Sequence, residues 1–217
     1  MPRKKLIRSN IHPYHITARC NNREEFHCGK EFAWGVFCYY LNEITELHEL
    51  KVHSFVMMPN HFHLLLSTPL QDLDLVMHKL MLSVTKTMNS KAGRTGRVFG
   101  ARYHWSMVST MGHYDHVQKY IYRNPVKAKI VECVEDYQFS TLKGVLKKGP
   151  QSIKLAPVGG KVEMIPNSSQ KEYLLWLNQP FRNEEYISIQ KGLRKTTFAP
   201  TKLKNPLTCK FYKLADT

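Results

Sequence analysis

His61 and His63 stand two residues apart in a largely apolar run, His61-Phe62-His63-Leu64-Leu65-Leu66. The run reads as a β-strand, and a period of two puts both imidazoles on one face. Two neutral imidazoles on one face can share a divalent cation. Spacing alone does not separate that role from a structural one. The chain holds 11 histidines, and an H-x-H arises by chance on the order of once in two such sequences. Tyr120 and Asn124 form a second pair, spaced i,i+4 and so on one face of a helix. A tyrosine hydroxyl can act as a nucleophile, and an amide oxygen can ligate a cation. The bland alternatives are a core tyrosine and a capping asparagine. Asn124 precedes Pro125, and a residue before proline avoids the α region. Asn-Pro is also the signature of a new helix start, with Asn as N-cap and Pro at the first position.

Charge indicates what such a site would act on. The 217 residues carry a formal net charge of +15, which points to a polyanionic partner, nucleic acid being the commonest. The excess is uneven. Residues 1–142 hold 18 Lys and Arg against 12 Asp and Glu, and residues 143–217 hold 14 against 5. The second segment therefore reads as an electrostatic arm for a phosphate backbone. No stretch approaches the ~18 apolar residues of a membrane span. The basic start Met-Pro-Arg-Lys-Lys lacks an apolar run behind it, so no secretory signal is expected. The five cysteines contain no C-x-x-C pair, which suits reduced thiols in a cytoplasmic protein.

The elements that must position these residues follow from periodicity. Tyr14 to Ala18 reads as a strand. Phe37, Leu41, Ile44 and Leu47 mark a helix over 29–49. Strands are expected over 52–58 and 61–66, with the turn Met58-Pro59-Asn60 between them. Asp72 is placed to cap a helix carrying Leu73, Met77, Leu80, Val84 and Met88. A strand over 102–110 and a helix opening near Gly112 complete the series. This order predicts an α+β, ferredoxin-like βαββαβ antiparallel sheet with helices on one face, in a domain spanning residues 1–142. Residues 143–217 follow as a basic linker and a short helical C-terminal extension. Lys-Lys-Gly-Pro, Pro-Val-Gly-Gly and Pro-Asn-Ser-Ser mark the linker. Ser169-x-x-Glu172 and Asn183-Glu184-Glu185 each suggest a helix start.

The segment Met57-Met58-Pro59-Asn60-His61-Phe62-His63-Leu64-Leu65-Leu66 resembles the HUH strand of single-tyrosine transposases, where U is bulky and apolar. Tyr120-Ile121-Tyr122-Arg123-Asn124-Pro125-Val126-Lys127-Ala128 resembles their tyrosine helix. The fuller similarity is to the REP-associated branch, through His15-Ile16-Thr17-Ala18-Arg19, Gly96-Arg97-Val98-Phe99 and Asp136-Tyr137-Gln138-Phe139-Ser140, in the family's order across roughly residues 9–142. The resemblance implies a metal-dependent endonuclease and strand transferase that acts on single-stranded DNA beside a hairpin through a 5′-phosphotyrosine. It implies Tyr120 as nucleophile, His61, His63 and Asn124 around Mg²⁺ or Mn²⁺, and a monomer, with a homodimer as the alternative. Arg19, Arg23, Arg97, Arg102, Arg123, Lys127 and Lys129 lie near these motifs, and several are expected to contact DNA. A catalytically silent DNA- or RNA-hairpin binder on the same fold is the alternative reading. A third is a related replication initiator or relaxase.

Overall fold

The computed structural model describes residues 5–70, 72–146, 152–155 and 167–201. Four strands form one antiparallel sheet: β1 (Tyr14–Arg19), β2 (Lys51–Met57), β3 (His61–Ser67) and β4 (His104–Met107). Their order across the sheet is β2-β3-β1-β4, the order expected of the ferredoxin-like unit. Helix α1 (Lys30–His48) follows β1, and α2 (Leu73–Ala92) follows β3. Phe55 and Phe62 pack on Phe37 of α1, at ring separations of 5.3 Å each. Both helices of the unit thus cover one face, as the periodicity predicts. Alternation sends His61 and His63 to the other face. There lies α3 (Met111–Lys127), the helix after the unit.

Two sequence expectations change locally. Asp72 occupies the N-cap position of α2, and its carbonyl accepts from Val76 N, but its side chain makes no cap. The carboxylate instead accepts from His48 Nδ1 at 2.5 Å, so a helix-terminal histidine outcompetes the local main-chain donors. The fourth strand is shorter than the expected 102–110. Arg102 is stacked on the Tyr103 ring before it, and Thr110 caps α3 by accepting from His113 N after it.

The described residues after 127 pack back on the sheet and its helices. Residues 139–141 pair with the free edge of β2, where Met57 N donates to Phe139 O and Thr141 N to Phe55 O. Residues 196–198 do the same for β4, where Met107 N donates to Thr196 O and Phe198 N to Met107 O. Part of each sheet edge, at Phe55–Met57 of β2 and at Met107 of β4, is thereby paired within the chain, which blunts it as a template for another strand. After the short helix α4 (Leu142–Val145), most of the expected linker lies outside the described residues. Residues 152–155 are strapped to α1: Asn42 Nδ2 donates to Ser152 O, Lys154 N donates to Asn42 Oδ1, and Ile153 is buried. Helices α5 (Asn167–Asn178) and α6 (Asn183–Leu193) pack on α3. Helix α5 is already formed at Asn167, so Ser169 lies inside it and not at its cap. The start of α6 is secured by Glu185, whose carboxylate accepts from Arg182 N at 3.0 Å.

Candidate functional site

Cross-strand register assembles the site. Thr17 pairs with His63 and Arg19 with His61, so the end of β1 lies beside the histidine pair. Helix α3 crosses this face and brings Tyr120 to the histidines. The ring of Tyr120 is 5.7 Å from His63 and 6.2 Å from His15, and the rings of His61 and His63 are 5.1 Å apart. A cavity of about 950 Å³ opens here, lined by His61, His63, Tyr120 and Asn124 together with Arg19, Arg23, Arg102 and Lys127.

The hydrogen bonds fix which ring nitrogens face this cavity. Asn60 Nδ2 donates to Arg23 O at 2.8 Å, which orients the amide. Asn60 Oδ1 then lies 2.7 Å from His61 Nδ1. A carbonyl oxygen only accepts, so His61 Nδ1 carries the proton and Nε2 keeps its lone pair. His63 Nδ1 is likewise engaged, 3.0 Å from His15 Nε2. Burial lowers His61 to about 4, with Arg19 adding to the effect. Burial also lowers His63, with repulsion from His15, His61 and Arg19 in support. Both rings are neutral at neutral pH, the state a metal ligand requires. Among the described residues no group of three His, Cys, Asp or Glu side chains is placed to hold a metal ion. The donor set on offer is two imidazoles and the Asn124 amide. It would leave coordination positions open to water and phosphate oxygens, and two neutral imidazoles with an amide oxygen are donors a divalent metal ion can use.

Asn124 does not start a new helix. Helix α3 runs through Pro125 to Lys127. Asn124 Nδ2 donates to Tyr120 O at 2.8 Å and approaches Ile121 O at 3.5 Å. Ile121 O would normally accept from the amide that Pro125 lacks. The side chain thus supports the helix where proline weakens it, and its nitrogen is used on the main chain. The amide oxygen is the atom left to the cavity.

Tyr120 is buried, and α6 covers it, with the Tyr186 ring 5.6 Å from its own and Gln190 on the same cavity wall. Burial, with Tyr186 alongside, raises its pKa above the usual tyrosine value. Tyr122 points elsewhere, fully buried with its hydroxyl 3.2 Å from Thr141 Oγ1, and packs the core.

The seven basic residues divide. Arg19, Arg23, Arg102 and Lys127 line the cavity, and Lys127 Nζ sits 4.8 Å over the Tyr186 ring. Arg97 lines a neighbouring groove of about 690 Å³ that Arg102 also borders. Lys129 is exposed in the turn after α3, with φ 58°. Arg123 is placed differently: its Nη1 donates to Leu177 O and Asn178 O at 2.8 and 2.5 Å. It caps the C-terminus of α5, where a cation complements the exposed carbonyls. Sequence reasoning missed Tyr186, Gln190 and Arg194, which α6 brings to the cavity wall. Their signal was faint: Tyr186, Ile189 and Leu193 repeat at helical spacing, but nothing showed that the stripe would meet Tyr120. It also missed His15 and the orienting role of Asn60. Gly100 forms part of the wall at a close approach, since a Cβ there would lie 3.2 Å from Asn21 Cα.

No helix among the described residues is long and apolar enough to cross a membrane. Cys20, Cys28, Cys38 and Cys133 are free thiols, and Cys209 lies outside the described residues.

No curated protein matches this sequence. Among solved structures, the fold is similar to that of a REP-associated tyrosine transposase bound to a REP hairpin, with a TM-score of 0.61 at 18% identity, covering 75% of this chain and 96% of that one. A putative transposase from Deinococcus radiodurans R1 is a more distant neighbour, with a TM-score of 0.39 at 20% identity over 56% of this chain and 94% of that one. The model of the IS200-like transposases matches residues 9–124, which contain β1, the histidine strand and Tyr120. That match spans more than half of the sequence, and the chain belongs to the IS200-like transposase family.

Proposed function

We propose that this protein is a metal-dependent single-stranded DNA endonuclease and strand transferase that acts beside hairpins through a 5′-phosphotyrosine at Tyr120. The observation that supports this best is the convergence of His61, His63, Asn124 and Tyr120 on one basic cavity. His61 and His63 offer Nε2 lone pairs, and Asn124 offers an amide oxygen. Mg²⁺ or Mn²⁺ bound there supplies Lewis-acid polarisation of the scissile phosphate. Arg19, Arg23, Arg102 and Lys127 bind and orient the phosphates around the reacting one.

Tyr120 Oη attacks phosphorus, the bond from phosphorus to the 3′ oxygen breaks, and the phenolic proton is balanced by one taken up at the freed 3′-OH. The energy of the phosphodiester is held in the phosphotyrosine, so a second 3′-OH can reverse the step without a nucleotide cofactor. Tyr120 is protonated at neutral pH, so the nucleophile must lose its proton during attack, and the Tyr186 ring packed beside it must leave room for the phosphate. The structurally similar REP-associated transposase is bound to a REP hairpin, which supports a DNA hairpin as partner here. A monomer is proposed, supported by the partial pairing of both sheet edges with the chain's own segments.

The test uses single-stranded oligonucleotides that carry a hairpin, incubated with the protein and Mn²⁺ or Mg²⁺. Nicking with a covalent protein–DNA adduct is expected, and both should disappear with a chelator. Tight hairpin binding without cleavage across several sequences would support the silent binder instead.

A further inference from the structure

We infer that His15 is the positioning residue of the metal seat, an imidazole that accepts the Nδ1 proton of His63 and thereby aims the Nε2 lone pair of His63 into the cavity. The inference rests on the metal reading given above and deepens it.

His15 lies on β1, one pair of residues along from Thr17, the cross-strand partner of His63. It is 2% exposed and borders the same cavity as His61 and His63, with its Nε2 turned to His63. Its Nε2 is 3.0 Å from His63 Nδ1, with the two rings stacked at 5.2 Å and 23°. A ring that binds a cation through Nε2 must carry its proton on Nδ1, and that N–H needs an acceptor. His61 has one in Asn60 Oδ1. Near His63 the group within reach is His15 Nε2. The two histidines of the seat therefore carry parallel supports, one amide oxygen and one imidazole nitrogen.

Packing alone does not explain an imidazole at this position. A leucine or phenylalanine would fill the space without desolvating two ring nitrogens. The second nitrogen, His15 Nδ1, is buried with no hydrogen-bond partner among the described residues, as is Ser106 Oγ on the paired position of β4. Leaving a buried polar atom unpaired costs roughly 1–3 kcal/mol. The fold carries this cost at a residue whose one hydrogen bond goes to His63, which is what a group retained for its neighbour's orientation looks like.

The test is Mn²⁺ titration of the full-length protein by calorimetry, with thermal melts alongside. His15→Phe fills the same space and removes the acceptor. It should weaken Mn²⁺ binding about 10–100-fold while melting no lower than the wild type. His15→Gln, whose amide oxygen can accept in place of Nε2, should recover most of the affinity. In the metal-free protein, a ¹⁵N–¹⁵N coupling across the hydrogen bond between His63 and His15 is expected, and its absence would overturn the inference. Wild-type binding with an unaltered His15→Phe would overturn it alone. Failure of the wild type to bind Mn²⁺ would overturn the metal seat and this inference together.

Discussion

Asn124 Nδ2 donates to the carbonyl oxygen of Tyr120, one turn back in α3, at 2.8 Å. The proposed third ligand and the proposed nucleophile are therefore held on one stretch of helix by a bond between them. The same amide compensates for Pro125, and with the nitrogen used on the main chain its oxygen is the atom free to accept or ligate.

Substitution at Asn124 should separate these two duties. Asn124→Asp keeps an oxygen for the cation and loses the donor. Stability is expected to fall by about 1–2 kcal/mol, read from urea unfolding, while Mn²⁺ affinity holds or rises. Asn124→Leu should lose both. Full Mn²⁺ affinity in Asn124→Leu would remove Asn124 from the ligand set.

The basic residues make a contrast that can be measured by salt dependence. Arg19→Gln or Lys127→Gln should weaken hairpin binding and reduce the slope of log affinity against log salt by about 1 each. Arg123→Met should leave affinity and slope unchanged, because its guanidinium is on the α5 carbonyls. It should instead cost about 1–2 kcal/mol of stability. A loss of DNA affinity in Arg123→Met without a loss of stability would return that residue to the interface.

Stability should depend on pH with a definite sign. Burial holds His15 near 3 and His61 near 4, both below the usual imidazole value of 6.5. In the unfolded chain these rings take up protons near their ordinary value, while in the folded chain they do not. Their contribution is complete above about pH 6.5 and is lost as pH falls through the folded values. Urea midpoints should therefore drop between about pH 7 and pH 4, and less so in His15→Gln. A flat profile over that range would contradict the buried neutral pair.

Much of this was legible in the chain itself, for identifiable reasons. His61 and His63 alternate with apolar residues, so a period of two is enough to place them on one face. Phe37, Leu41 and Ile44 placed α1, and the order of elements set the sheet. What local pattern could not carry was partner choice. Arg123 lies in the tyrosine motif, yet it is claimed by carbonyls more than fifty residues away in α5. Asn124 precedes a proline, and the expectation of a break there failed because its own side chain repairs the helix. Asp72 sits at a cap and spends its carboxylate on His48. The cover that α6 lays over Tyr120 depends on long-range packing, which a weak stripe of apolar residues does not encode visibly.

The central claim is that Tyr120 becomes covalently attached to DNA. The most direct measurement is mass spectrometric mapping of the adduct formed with a hairpin-bearing single strand and Mn²⁺. The account predicts a nucleotide-modified peptide containing Tyr120, together with a free 3′-OH on the released strand and no adduct in Tyr120→Phe, which should still bind the hairpin. An adduct on another residue, or undiminished nicking by Tyr120→Phe, would contradict it.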